Sequence, residues 1–185
     1  EEVVRQDGPL KYYARLQQAK AQSQLGKQNE AILVYDAILR ASPPAEVEWA
    51  ALAGKANCLV ELGQKDPARL EQALAIYTEL AEKAASDGNW RSLALHQKGR
   101  CLEALNRPDE ALAAYYDVLQ MGAAQPVEYF WFYKAGFDAG RLCEERKQWK
   151  SAIAIYQKLA AVEGPRSEQA RALVNHLRLE HFIWD

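Results

Sequence analysis

Apolar residues return every three or four positions in four stretches of the chain: EAILVYDAIL (30–39), QALAIYTELA (72–81), EALAAYYDVL (110–119) and SAIAIYQKLA (151–160). That spacing gathers the apolar side chains on one face of a helix. Each stretch also carries an alanine and a tyrosine four positions apart, Ala31/Tyr35, Ala73/Tyr77, Ala111/Tyr115 and Ala152/Tyr156, which are neighbours on a helix surface. The pairs recur after 42, 38 and 41 residues. A self-similar period within about 20 to 50 residues predicts a solenoid, because one such unit cannot bury its own apolar face and must stack on its neighbours.

A second helical pattern precedes each copy, over 9–25, 46–62, 89–105 and 126–146, so each unit is predicted to be an antiparallel helix pair. Short turns join the pairs: LGKQN (25–29), LGQKDPA (62–68), LNRPDE (105–110) and ERKQW (145–149). Gly26 and Gly63 suit a helix end that needs positive φ, Asn106 is the next best residue there, and Pro67 and Pro108 suit the first turn of the following helix. The fourth turn, with Lys147 at the equivalent place, lacks this signal. The segments SPP (42–44), SDGN (86–89), GAAQP (122–126) and EGPRS (163–167) end the second helices. Seven residues before each turn residue stands a small one, Ala19, Ala56, Gly99 or Gly140. A mid-helix glycine costs about 1 kcal/mol relative to alanine. Close approach of the partner helix offsets that cost, with Ala31, Ala73, Ala111 and Ala152 expected to face these positions. After the fourth unit, SEQARALVNHLRLEHFIWD (167–185) sets Ala170, Leu173, Val174 and Leu177 on one stripe, as a helix that caps the open end of a stack would.

These features together resemble the tetratricopeptide repeat (TPR) family: a small residue on the first helix, a turn glycine, then Ala and Tyr four apart on the second helix and Pro after it. The resemblance covers about residues 10–165. It implies an all-α, right-handed superhelical solenoid of four TPR-like pairs in a single domain over 1–185, with units at about 10–44, 45–87, 88–125 and 126–165 and a capping helix at 166–183. The units exceed the family's usual length of about 34 residues. Trp49, Trp90 and Trp131 recur every 41 residues, but the family's regular Trp and Leu placement is missing. The longer helices look like those of TPR proteins in bacterial cell envelopes and assembly machines.

Composition narrows the classes of function. Over 185 residues, 49% hydrophobic and 26% charged side chains describe a chain that folds. A net charge of -2 offers phosphate backbones no general attraction, so nucleic acid is not an expected partner. No apolar run reaches the roughly 18 to 20 residues of a membrane span, and the opening EEVVRQDGPL is unlike a signal peptide. The chain does not begin with Met and reads as a trimmed or processed piece, which leaves the cytoplasm and the periplasm both open as its compartment. Cys58, Cys101 and Cys143 sit inside apolar helical patterns and are expected to be buried thiols. His96, His176 and His181 form no metal-ligand spacing, and no phosphate loop or hydrolase motif occurs. Neither an enzyme nor a cofactor is expected.

The residues with a candidate function lie on the first helices. Six positions before each turn residue come Lys20, Asn57, Arg100 and Arg141, and four positions earlier come Leu16, Ala53, His96 and Phe137. The resemblance implies that this register faces the concave groove, so the first set would form a ladder for a protein or peptide partner of acidic character, over an apolar floor that includes His96 and Phe137. The alternative is ordinary solvated helix surface. The Lys and Asn spacing of the chaperone-tail carboxylate clamp is not reproduced, since Leu16 and Lys20 stand at those places. Tyr129 to Tyr133 are five consecutive aromatics and cannot all enter one core. Phe182, Ile183 and Trp184 at the end fold back or meet another chain. A spacer or oligomerisation arm working through that end is the second functional expectation.

Overall fold

A computed structural model describes residues 10–121 and 129–184. Among these residues it holds nine α-helices and no strand: α1 (Leu10–Gln24), α2 (Gln28–Arg40), α3 (Ala45–Gly63), α4 (Pro67–Lys83), α5 (Gly88–Ala104), α6 (Pro108–Met121), α7 (Tyr129–Glu145), α8 (Trp149–Ala160) and α9 (Ser167–Glu180). The result is an all-α solenoid of helix pairs, α1/α2, α3/α4, α5/α6 and α7/α8, followed by α9. The GAAQP breaker and the expected helical residues 9 and 126–128 lie outside the described residues. The chain divides into two compact units within α5, Glu1–Ala94 and Leu95–Asp185. In the first unit α1 packs on α2, α2 on α3 and α3 on α4, and the two first helices α1 and α3 also touch. In the second, α6 packs on α7, α7 on α8 and α8 on α9.

One turn design serves three of the four pairs. Gly26 takes φ +77°, Asn106 +57° and Lys147 +58°. Around each, two backbone bonds close the helix end: Gly26 N–H to Ser23 O and Lys27 N–H to Gln22 O, Asn106 to Glu103 and Arg107 to Leu102, Lys147 to Glu144 and Gln148 to Cys143, all at 2.8 to 3.0 Å. These are the paired bonds of a Schellman ending, which needs a left-handed residue at the first position beyond the helix. The fourth turn thus forms without its expected residue, and Lys147 bears the strain. Gly63 departs from expectation in the other direction. It lies inside α3 without positive φ, and what it supplies is room, since a Cβ there would stand 2.6 Å from the Leu70 side chain. Pro67 and Pro108 open α4 and α6 as expected. Asp66 caps α4 through Ala68 N–H at 3.2 Å, and Asp87 caps α5 through Asn89 and Trp90 N–H at 3.0 and 2.9 Å.

The repeated tyrosines explain the small residues. A Cβ at Gly99 would lie 2.4 Å from Tyr115, and one at Gly140 would lie 2.2 Å from Tyr156. The glycines therefore admit the aromatic ring of the second helix. Tyr35 reaches α3 in the same way, 2.3 Å from a Cβ built on Gly54. Ala19, Ala56, Ala31, Ala73, Ala111 and Ala152 are all 0% exposed, and Gly99 and Gly140 are buried, so both members of each expected small pair are buried. The five aromatics of α7 divide as a helix requires. Phe132 and Tyr133 are buried, Trp131 is half-buried, and Tyr129 and Phe130 are 40% and 63% exposed. The cysteines are free and buried, and burial pushes the Cys101 thiol up to about 11.

Two substitutions test this packing. Gly140→Ala forces the Tyr156 ring to shift and is expected to lower stability by about 1 to 3 kcal/mol in denaturant unfolding. Lys147→Gly removes a side chain from a left-handed position and is expected to raise stability by about 1 kcal/mol. An unchanged or reversed result for either variant contradicts its packing assignment.

Candidate interaction site

The first helices α5 and α7 of the second unit are joined by polar side chains rather than by apolar contact alone. Glu103 stands four residues beyond Gly99 on α5, where the Tyr115 ring crosses and its hydroxyl donates to Oε1 at 2.5 Å. Arg141 reaches from α7 to the same carboxylate, donating through Nη2 at 2.7 and 3.0 Å. Its Nη1 donates to Glu145 at 2.7 Å. The design recurs 41 residues on, where Tyr156 donates to Glu144 at 2.5 Å. One turn before Arg141, the Asp138 carboxylate takes a 2.7 Å hydrogen bond from Nε2 of His96 and lies 4.0 Å from Arg141 Nε through its other oxygen.

His96 is 0% exposed and packed between the Tyr115 and Trp131 rings, with centroids at 5.6 and 5.5 Å. Burial opposes ionisation of Asp138, but the His96 hydrogen bond and the charges of His96, Arg141 and Arg100 hold its carboxyl below the usual range. An ionised carboxylate only accepts, so His96 is the donor in this pair. The tyrosines show the opposite shift. Burial, then the hydrogen bond and charge of the carboxylate, push Tyr115 and Tyr156 far above an ordinary phenol. Burial also pushes Tyr35 up to about 12.

The six expected contact residues fall into different environments. Lys20 is exposed on α1 and has no ion partner among the described residues. Asn57 is exposed, but its Oδ1 accepts the Tyr77 hydroxyl at 2.6 Å and so links α3 to α4. His96 is wholly enclosed and offers a ligand no surface, which removes it from the expected floor. Phe137 turns toward α8, between the Tyr133 and Tyr156 rings, and carries the Arg166 guanidinium 4.1 Å above its own ring. Arg141 is occupied by Glu103 and Glu145. Arg100 is exposed, and its hydrogen-bond contact is Gln97 Oε1 at 3.5 Å. Reading by ladder register missed Glu103 and Asp138. Glu103 had a signal, since it and Glu144 each follow the small glycine by four residues.

Phe130 adds an exposed aromatic to α7, with Lys134 Nζ 5.3 Å from its ring centre. A cleft of about 320 Å³ between α8 and α9 is lined by Gln157, Ala160, Ala161, Arg171, Val174 and Asn175, and holds none of the expected residues. Among the described residues no cluster of His, Cys, Asp and Glu is arranged to hold a metal, and no helix is long and apolar enough to cross a membrane.

The two arginines should therefore separate in stability measurements. Arg141→Met leaves Glu103 without its cation and is expected to cost about 2 kcal/mol, whereas Arg100→Met is expected to stay within about 0.5 kcal/mol of the parent. Equal losses in thermal unfolding would contradict the assignment. The tyrosine shifts give a second test, with the sign fixed by linkage. A folded pKa above the unfolded one stabilises fully below about pH 10, and that stability is lost as pH rises toward the folded value. In an absorbance titration of the nine tyrosines, Tyr115 and Tyr156 are expected to ionise only as the helices unfold. One wave near pH 10 with helicity intact would be inconsistent with their burial.

Residues 13–44 match the tetratricopeptide repeat. No curated protein matches the chain in sequence. Among solved structures, the nearly identical TPR-like repeats of a Podosopora anserina protein assigned as a kinesin light chain match with a TM-score of 0.69 at 13% identity, over 96% of this chain and 90% of that one. A tetratricopeptide repeat protein from Parabacteroides merdae matches at 0.64 and 17% identity, over 92% of this chain and 61% of that one. BtubC (BKLC) from P. vanneervenii matches at 0.67 and 15% identity, over 89% and 70%. Identities this low carry the fold and say nothing of partners. The chain thus carries a tetratricopeptide repeat at residues 13–44 and shares, along its helices, the fold of TPR-like repeat structures.

Proposed function

We propose that this chain receives an extended segment of a partner protein on the exposed face of the first helices of its second unit, and that Arg100 reads an acidic group there. The observation that carries the reading is the contrast between the two arginines of the second unit. Arg141 spends its charge on Glu103 and Glu145, while Arg100 stands exposed with one long contact to Gln97. A guanidinium free to form a two-pronged bond favours a carboxylate. Phe130, 63% exposed on α7, supports an apolar anchor on the neighbouring first helix. In the first unit, exposed Lys20 on α1 supports a similar preference on the face that α1 shares with α3. Asn57, His96, Phe137 and Arg141 serve in this reading as braces that hold the helices.

A second reading rests on the end of the chain. Leu179, Phe182 and Trp184 are 62%, 80% and 66% exposed, while His181 is fixed by stacking on Trp149 at 3.9 Å. An apolar cluster on an anchored helix end suits contact with another chain. Light scattering that finds a monomer both for the 185-residue chain and for one shortened after Glu180 would count against it.

The groove reading is tested by fluorescence anisotropy with a labelled peptide of alternating glutamate and leucine. Arg100→Glu is expected to weaken binding about tenfold, or about 1.4 kcal/mol, and added salt to weaken the parent's binding. Binding that is indifferent to Arg100 and to salt would remove this face from the account.

A further inference from the structure

The Asp138 carboxylate has two different oxygens. Oδ2 is bound at 2.7 Å by His96, a side chain with no exposed surface. Oδ1 has Arg141 Nε at 4.0 Å, the outer limit of an ion pair, and Arg141 gives its shorter bonds to Glu103 and Glu145. The side chain of Asp138 is 30% exposed. One oxygen is thus locked inward and the other is left at the surface of α7, in the electrostatic reach of Arg100 on α5. His96 is held in turn by the Tyr115 and Trp131 rings, so the carboxylate cannot easily turn over.

We propose that Asp138 is a second recognition position, which accepts a hydrogen bond from a lysine or arginine of the partner segment while Arg100 holds that segment's acidic group. The partner is then a peptide of mixed charge and not a purely acidic one. His96 is a positioning residue in this arrangement: it touches no ligand and fixes the acceptor. The inference rests on the first-helix face being the binding surface. It adds that a basic side chain is selected there, through complementary charges of both signs.

The test uses the full 185-residue chain and two labelled peptides of alternating glutamate and leucine, one with a central lysine and one with norleucine in its place. The parent is expected to prefer the lysine peptide five- to tenfold. Asp138→Asn is expected to abolish that preference, and His96→Phe is expected to reduce it in the same direction. Absence of any preference in the parent, with Arg100-dependent binding intact, overturns this inference and leaves the groove reading standing. A preference retained in Asp138→Asn also overturns it. Failure of the parent to bind either peptide overturns both. The comparison of peptides on the parent needs no variant to fold.

Discussion

The close crossing of the helix pairs α5/α6 and α7/α8 depends on an aromatic ring occupying the space where a side chain would begin. Tyr115 and Tyr156 lie against Gly99 and Gly140 so closely that a Cβ at either glycine would fall within 2.4 Å of the ring. A glycine in mid-helix weakens that helix, and the stacked ring repays it through burial and dispersion. The ring also carries its hydroxyl to one place, one turn beyond the glycine, where a buried phenol requires an acceptor. Glu103 and Glu144 stand there. The apolar constraint thereby dictates where the polar groups must be.

A carboxylate drawn into that position requires compensation, because burying an unpaired charge is costly. On α5 the compensation comes from the next first helix, through Arg141. The residue that register alone would assign to a ligand thus has a structural task, and the neighbouring rung, Arg100, keeps its charge for the surface. Two arginines at equivalent places in adjacent repeats differ in environment because Arg141 is paired with two carboxylates, while the hydrogen-bond contact of Arg100 is the neutral Gln97. Repetition of fold does not bring repetition of function.

The helices, the pairing and two of the turns, those at Gly26 and Asn106, were legible in the sequence because they depend on local periodicity and on residues with special backbone freedom. Lys147 escaped because a lysine can be held at positive φ when the Schellman bonds around it are formed, a property of the fold and not of the residue. Gly63 misled for the complementary reason: a glycine signals either a left-handed turn or missing bulk, and only the position of Leu70 decides between them. The candidate site was legible in register but not in availability. Nothing near His96 or Phe137 in the sequence tells that Tyr115, Trp131, Tyr156 and Arg166 would enclose them. Those contacts join residues 19 to 35 positions apart and exist only once the pairs have stacked.

The division of labour between the two arginines is the centre of this account, and side-chain nitrogen NMR reads it directly. With the guanidinium resonances assigned, Arg141 is expected to show slow hydrogen exchange in the free protein and little change when an acidic peptide is added. Arg100 is expected to exchange fast when free and to shift and slow on binding. The reverse assignment, with Arg141 responding and Arg100 silent, would contradict the account.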